Sequence, residues 1–348
     1  MMVIDAAAHP MVKASDDIRA YMEEPLAHER FPNHDRYYYP PPESDYADFT
    51  WPEKGPPASD PELVAEHLFG DFGIDLAVLV PLTRGILPNI DLGTAICRAT
   101  NDWLAATWLE NRHDRFKGSI RVNPSDPTEA VDEIRRWKGN PNVVQVVVPL
   151  ESHNPYGQRQ YFPIWEAAVD AGFAVAIHAD GGTGTEMFPS PVGYFHHYVE
   201  YTSFLPYNGF YHLCSFIAEG VFERLPDIRV VFADGMGDIV GPLLWRMDET
   251  WRATRDRTPW VKLSPIDYAH RNVRYIAHST EGPTDESEKA RYWDAAGVAG
   301  EQMYASNYPS WDMLRADEAV RGIEPEAAEA FLSGNAADWY RLKIGSEV

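Results

Sequence analysis

Eight short apolar runs recur along the chain, and most are followed by a stretch with helical spacing. The runs fall at 3–6, 74–80, 118–122, 143–148, 174–178, 228–233, 273–277 and 303–306. Several, such as IDLAVLV and VVQVVV, are almost continuously apolar, as strands covered on both faces must be. Pro81 ends the second run, and Asn123-Pro124 ends the third. Helical periodicity predicts helices over 60–70, 91–111, 127–138, 164–171, 210–222, 242–254, 313–321 and 325–340. The last of these starts on proline, which suits a first helical position. Strand-then-helix units in this number predict an α/β fold, a parallel (β/α)8 TIM barrel forming one domain over 1–348. A doubly wound sheet fits less well, because no G-x-G-x-x-G follows the first run. Residues 27–57 break the pattern. They carry Tyr37-Tyr38-Tyr39-Pro40-Pro41-Pro42 and no usable period, and predict a long aromatic and proline-rich insertion after strand 1.

Composition narrows the function classes. Thirty basic against 53 acidic side chains give a net charge of −23, which disfavours nucleic acid and anionic membrane as partners. No apolar run reaches 18 residues, and MMVIDAAAHP has no signal-peptide pattern. Cys97 and Cys214 are the only cysteines, without C-x-x-C, so a reducing, cytoplasmic setting is expected. Eleven Trp and 18 Tyr point to subunit contacts and an oligomer.

In a (β/α)8 barrel the chemistry gathers where strands end. The residues closing the runs include His9, His178, Asp234, His278 and Asn307. Imidazole and carboxylate together suit zinc and similar first-row ions. One divalent metal is therefore expected on His9, His178 and Asp234, with zinc the first choice and manganese or iron(II) as alternatives. His178 and His278 are the candidate acid–base residues. Each has a plainer reading. Asp234 opens the turn DGMGD and needs no metal there, and the end of the seventh strand is uncertain by a residue or two. His212 reads as a core or interface histidine that could reach the rim. The glycines of 181–184 read as a flexible loop rather than a phosphate cradle, and no G-x-S-x-G is present.

These blocks together resemble the amidohydrolase-related proteins that include aminocarboxymuconate-semialdehyde decarboxylase. VIDAAAHP looks like the first-strand motif of that family, usually Asp-x-His or His-x-His. PYGQRQYFPIWEAAVDAGFAVAIHADGG looks like its fifth-strand block. EGVFERLPDIRVVFADGMGDIVGPLLWRMD looks like its sixth, and MYASNYPSWD like its eighth, usually Ser-Asp-Tyr-Pro-His. The resemblance implies a metal-binding barrel in a family of hydrolases, nonoxidative decarboxylases and a few oxygenating enzymes. Four positions depart from it. Ala7 stands where a ligand is usual, Asn307 replaces an Asp, Ser310 a His, and Thr202 lies about where a His is frequent. Alanine has no lone pair, and asparagine is neutral and accepts no proton at neutral pH. The site is thus expected to hold at most one metal ion. The chain is expected to act on a small molecule as partner subunit of a homologous, metal-complete subunit, in a hydrolase, decarboxylase or oxygenase complex. The alternative is a self-sufficient mononuclear hydrolase or nonoxidative decarboxylase.

Overall fold

The computed structural model describes residues 1–29, 46–110, 114–180, 193, 196–277, 282–283 and 285–342. Eight strands form one sheet in sequence order: β1 (Ile4–Ala8), β2 (Leu76–Leu79), β3 (Phe116–Arg121), β4 (Val143–Pro149), β5 (Ala174–His178), β6 (Val230–Phe232), β7 (Val273–Ala277) and β8 (Gln302–Tyr304). Each pairs parallel with its sequence neighbour. Helices lie between the strands, so this is the expected (β/α)8 barrel.

The strands bury both faces. Outward-facing Leu79, Ile120, Val146, Val175, Ile177 and Phe232 belong to the large core shared with the helices. Inward-facing Ile4, Ala6, Val78, Val147, Ala176, Val231, Met303 and Ala305 form a second cluster inside the barrel, joined by Trp339 and Tyr340 of the C-terminal segment. The many alanines leave room for the barrel to close around so narrow a core. In β1 the register shifts between Asp5 and Ala8. This bulge places Ala7 in the inner cluster as well.

Closure between β8 and β1 rests on Asp5, whose side chain is fully buried. One carboxylate oxygen accepts the Ser306 amide at 2.9 Å and the Ala7 amide at 3.1 Å. The other accepts the Ser306 hydroxyl at 2.5 Å. That hydroxyl in turn accepts the Tyr308 amide, and the His9 amide donates to the Tyr308 carbonyl at 2.8 Å.

The helices start where local chemistry dictates. Asp60, Asp126 and Ser264 cap the helices that begin at Pro61, Pro127 and Pro265. Two helices differ from expectation. That after β5 runs Tyr198–Ala218 and includes Pro206. That after β6 runs Met236–Thr254 and includes Pro242, rather than starting on it. A proline inside a helix leaves the carbonyl four residues earlier without its amide donor. For Pro242 that carbonyl is Asp238, and the Tyr292 hydroxyl donates to it instead. Three helices, Ser15–Arg19, Pro265–Asn272 and Glu286–Ala296, were not expected at all. Residues 30–45 of the insertion lie outside the described residues. Its later part returns to the barrel, with Tyr46 bridged antiparallel to Ser310. Among the described residues no helix is long and apolar enough to cross a membrane.

Burial outweighs the hydrogen bonds and lifts the Asp5 pKa from 3.8 to about 6. Folding therefore favours the protonated carboxyl, and its contribution falls as pH rises from about 4 to about 6. Asp5→Ala is expected to lower unfolding free energy by about 2–4 kcal/mol in urea titrations. Asp5→Asn keeps most of the bonding, since its amide can donate to the Ser306 hydroxyl, and should gain on the parent protein as pH rises through that window.

Candidate functional site

Four expected residues are described at the C-terminal mouth of the barrel. His9 and His178 are both 4 % exposed, with ring centroids 4.9 Å apart at 67°. The His9 Nδ1 contacts the Val80 carbonyl at 3.0 Å, and the His178 Nδ1 contacts the Ala179 carbonyl at 2.6 Å. A carbonyl only accepts, so each Nδ1 carries hydrogen and each neutral ring presents a lone pair at Nε2. The His178 Nε2 is buried with no hydrogen-bond partner among the described residues. The His9 Nε2 meets the Asn307 Oδ1 at 3.2 Å. The Asn307 amide orientation is set by Asp312, whose carboxylate accepts from Nδ2 at 2.9 Å. The neutral tautomer thus turns two acceptors toward each other, an arrangement relieved by a cation or by a proton on His9.

Asn307 has φ +56° and Asp234 φ +62°. Asparagine and aspartate are the side chains that best tolerate this left-handed backbone, so either fits the turn after β8. Asp234 uses one carboxylate oxygen on the Ala179 amide at 2.8 Å, beside His178. His278 lies outside the described residues. Among the described residues no three His, Cys, Asp or Glu side chains converge as a metal-binding group. The His9 and His178 rings do pack edge to face, and the Asn307 amide oxygen reaches the His9 Nε2; nitrogen and oxygen donors of this kind suit a divalent ion. Ala7 adds no donor.

The opposite side of the mouth is charged and was not anticipated. Arg121 points into the barrel, donating to the Pro81 carbonyl at 2.7 Å and pairing with Asp180 at 3.3 Å. Asp180 also accepts the Gly85 amide. Arg84 and Glu151, each 7 % exposed, lie beyond β2 and β4. A legible signal existed: each charged residue closes, or follows within a few positions, a nearly continuous apolar run.

His212 is a core histidine. It accepts the Tyr156 amide at Nδ1, donates from Nε2 to the Leu150 carbonyl at 2.7 Å, and stacks on Tyr156 at 4.3 Å. Burial lowers its pKa to about 4, keeping it neutral. The Leu150 amide donates to the His178 carbonyl at 2.9 Å, so His212 holds the end of β4 against β5. Gly157 lets this loop approach the helix. A Cβ there would fall inside the Ser215 carbonyl.

The eight parallel strands define a (β/α)8 barrel with paired imidazoles at its C-terminal mouth. The amidohydrolase family model matches residues 4–342, and the chain belongs to that family. It is 28% identical to the 2-amino-3-carboxymuconate-6-semialdehyde decarboxylase of Dictyostelium discoideum over 183 residues, 51% of this chain but only 48% of that protein. It is 24% identical to the gamma-resorcylate decarboxylase of Rhodococcus jostii over 249 residues, 66% of this chain and 70% of that one. The crystal structure of 5-carboxyvanillate decarboxylase from Sphingomonas paucimobilis superposes with TM-score 0.69 at 23% identity, covering 98% and 99% of the two chains. The manganese-bound 5-carboxyvanillate decarboxylase of Novosphingobium aromaticivorans gives 0.70 at 18%, covering 98% and 96%. At these identities the structures share the fold.

Gly157→Ala is expected to lower stability by about 1–3 kcal/mol or more, because the clash is with backbone that cannot rotate away. Thermal denaturation checks it.

Proposed function

We propose that this chain is a mononuclear metal-dependent decarboxylase that removes CO2 from a small carboxylic acid without an oxidant. The observation that carries this is the pair of buried imidazoles of His9 and His178, packed 4.9 Å apart, with the Asn307 amide oxygen against the His9 Nε2. The matched relatives named above are decarboxylases, and one superposing structure holds manganese. Asp234, beside His178, is the carboxylate nearest in sequence logic to a fourth position, and His278 remains a proposed acid–base residue. A bound divalent ion would supply a positive centre to orient and polarise the substrate carboxylate. Its identity is proposed as manganese or zinc, since nitrogen and oxygen donors suit both. The protein's own residues do the rest. The Val80 and Ala179 carbonyls fix the ring orientation of His9 and His178. Arg121 adds a buried guanidinium to the mouth, paired with Asp180 two residues beyond His178. Buried strand walls exclude bulk water.

A second reading keeps the same site but makes the chain the partner of a homologous, metal-complete subunit in a hetero-oligomer. Asn307 cannot take up a proton, and the helix Tyr198–Ala218 exposes Phe204, Tyr207 and Tyr211, a stripe that suits a subunit contact. A cytoplasmic setting accords with Cys97 and Cys214, both free thiols.

Two experiments test these readings. Purified protein loaded with manganese, incubated with 2,6-dihydroxybenzoate and 5-carboxyvanillate, should release CO2, and His178→Ala should reduce the rate at least ~100-fold. Activity only after co-expression with a homologous subunit would favour the second reading. Asn307→Asp should bind manganese at least tenfold more tightly, about 1.4 kcal/mol, by adding charge to a neutral donor set. Calorimetric titration measures that change, and equal affinities would exclude Asn307 as a donor.

A further inference from the structure

A charge pair that the proposed reaction does not use lies buried at the mouth. Arg121 and Asp180 meet at 3.3 Å, with side chains 1 % and 4 % exposed. Such a pair gains little once both ions have left water, so fold stability does not account for it. Its supports are specific. Asn101 bonds the amide and the carbonyl of Arg121, at 2.7 and 2.8 Å, and donates to Glu133 at 2.8 Å. The guanidinium also donates to the Pro81 carbonyl at 2.7 Å. The Asp180 oxygen that pairs with Arg121 accepts the Gly85 amide as well, at 3.3 Å. One carboxylate thus ties the turn after β5 to the segment after β2 and to the end of β3.

That turn sets the His178 ring. A neutral imidazole has two tautomers, and a hydrogen bond at one nitrogen decides which lone pair the other presents. Here the Ala179 carbonyl takes the Nδ1 hydrogen at 2.6 Å and leaves the lone pair on Nε2. This carbonyl lies in the planar peptide between Ala179 and Asp180. It is held from both sides. Asp234 accepts the Ala179 amide at 2.8 Å, and Asp180 is fixed by Arg121 and Gly85. Without the second anchor the peptide is free to rotate, and the carbonyl to leave the ring.

Resting on the reading of His178 as a metal donor, we infer that Asp180 is a positioning residue: anchored by Arg121, it keeps the Ala179 carbonyl on the Nδ1 of His178 and so reserves Nε2 for a divalent ion. Asp180 acts through the peptide and not as a ligand. Partners that orient a ligating imidazole in this way matter to metal affinity nearly as much as the ligand does. Because the effect runs through geometry, it is separable from charge: removing Arg121 and Asp180 together leaves the net charge of the mouth unchanged.

The test is the double variant Arg121→Met/Asp180→Leu, which deletes both charges at once. The His178 tautomer is read by long-range proton–nitrogen NMR on metal-free protein with isotopically labelled histidine, its signal identified by loss in His178→Ala. Manganese affinity is read by calorimetry. The parent should show the Nδ1–H tautomer alone. The double variant should melt within a few degrees of the parent, since apolar residues replace the pair at little cost. It should show an added Nε2–H tautomer and bind manganese at least about tenfold more weakly. A purely structural pair would move Tm and leave the tautomer alone. An unchanged tautomer overturns the assignment whatever the affinity, as does a parent with mixed tautomers. Should the double variant fail to fold, Asp180→Asn decides. Its oxygen still accepts from Arg121 and Gly85, so the Nδ1–H tautomer should persist, and a mixture overturns the assignment. A tautomer change with equal affinities, or with no manganese bound by the parent, would remove His178 as a metal donor and leave Asp180 in its role.

Discussion

A carboxyl group sealed from solvent joins the first strand to the last. Neighbouring strands elsewhere in the barrel are held by ladders, but between β8 and β1 the Asp5 carboxyl accepts one amide and one hydroxyl from Ser306. The same carboxyl accepts the Ala7 amide inside the β1 bulge. This sets the register on both sides of the seam. His9 then follows on the inner face, its amide bonded to the Tyr308 carbonyl, and Asn307 faces it from β8. The contact between these two side chains is thus set by a group that touches neither.

The mouth carries two kinds of polar group. Neutral nitrogen and oxygen donors of His9, His178 and Asn307 stand beyond β1, β5 and β8. Guanidinium and carboxyl groups are buried near them, with Arg121 of β3 pairing Asp180 beyond β5. The Arg121–Asp180 pair, 1 % and 4 % exposed, gives little net stability after desolvation, and apolar residues of the same size would serve the core as well. Retention of a buried charge pair at the mouth accords better with shaping a polar pocket than with holding the barrel. The exchange of a strand-eight carboxylate for Asn307 fits this balance. It keeps an oxygen donor and a tolerated backbone conformation, but gives up charge and the ability to move a proton.

Apolar periodicity carried most of the architecture. All eight strands stand where the apolar runs lie, because strands covered on both faces need continuous β-branched and small residues. The capped, proline-led starts at Pro61 and Pro127 were equally legible, since that chemistry is local, while the same signal at Ser264-Pro265 went unused. The prolines inside helices misled the reading. Pro206 and Pro242 look like helix ends in one dimension. Tertiary partners override that appearance, as when Tyr292, 54 residues away from Asp238, satisfies the carbonyl that Pro242 strands. Ser15–Arg19 escaped because five residues are too few to show a period.

From the chain alone came the barrel and the strand-end imidazoles of His9 and His178, because each follows from residue type and from where an apolar run stops; that Ala7 stands where a donor is usual came from the resemblance to the family's first-strand motif. Only the folded molecule decided which lone pairs face one another, that Asp5 closes the ring, and that Glu151, Arg121 and Asp180 share the mouth. Those facts depend on contacts between segments tens to hundreds of residues apart, 301 between Asp5 and Ser306, and no local pattern of side chains encodes such a meeting.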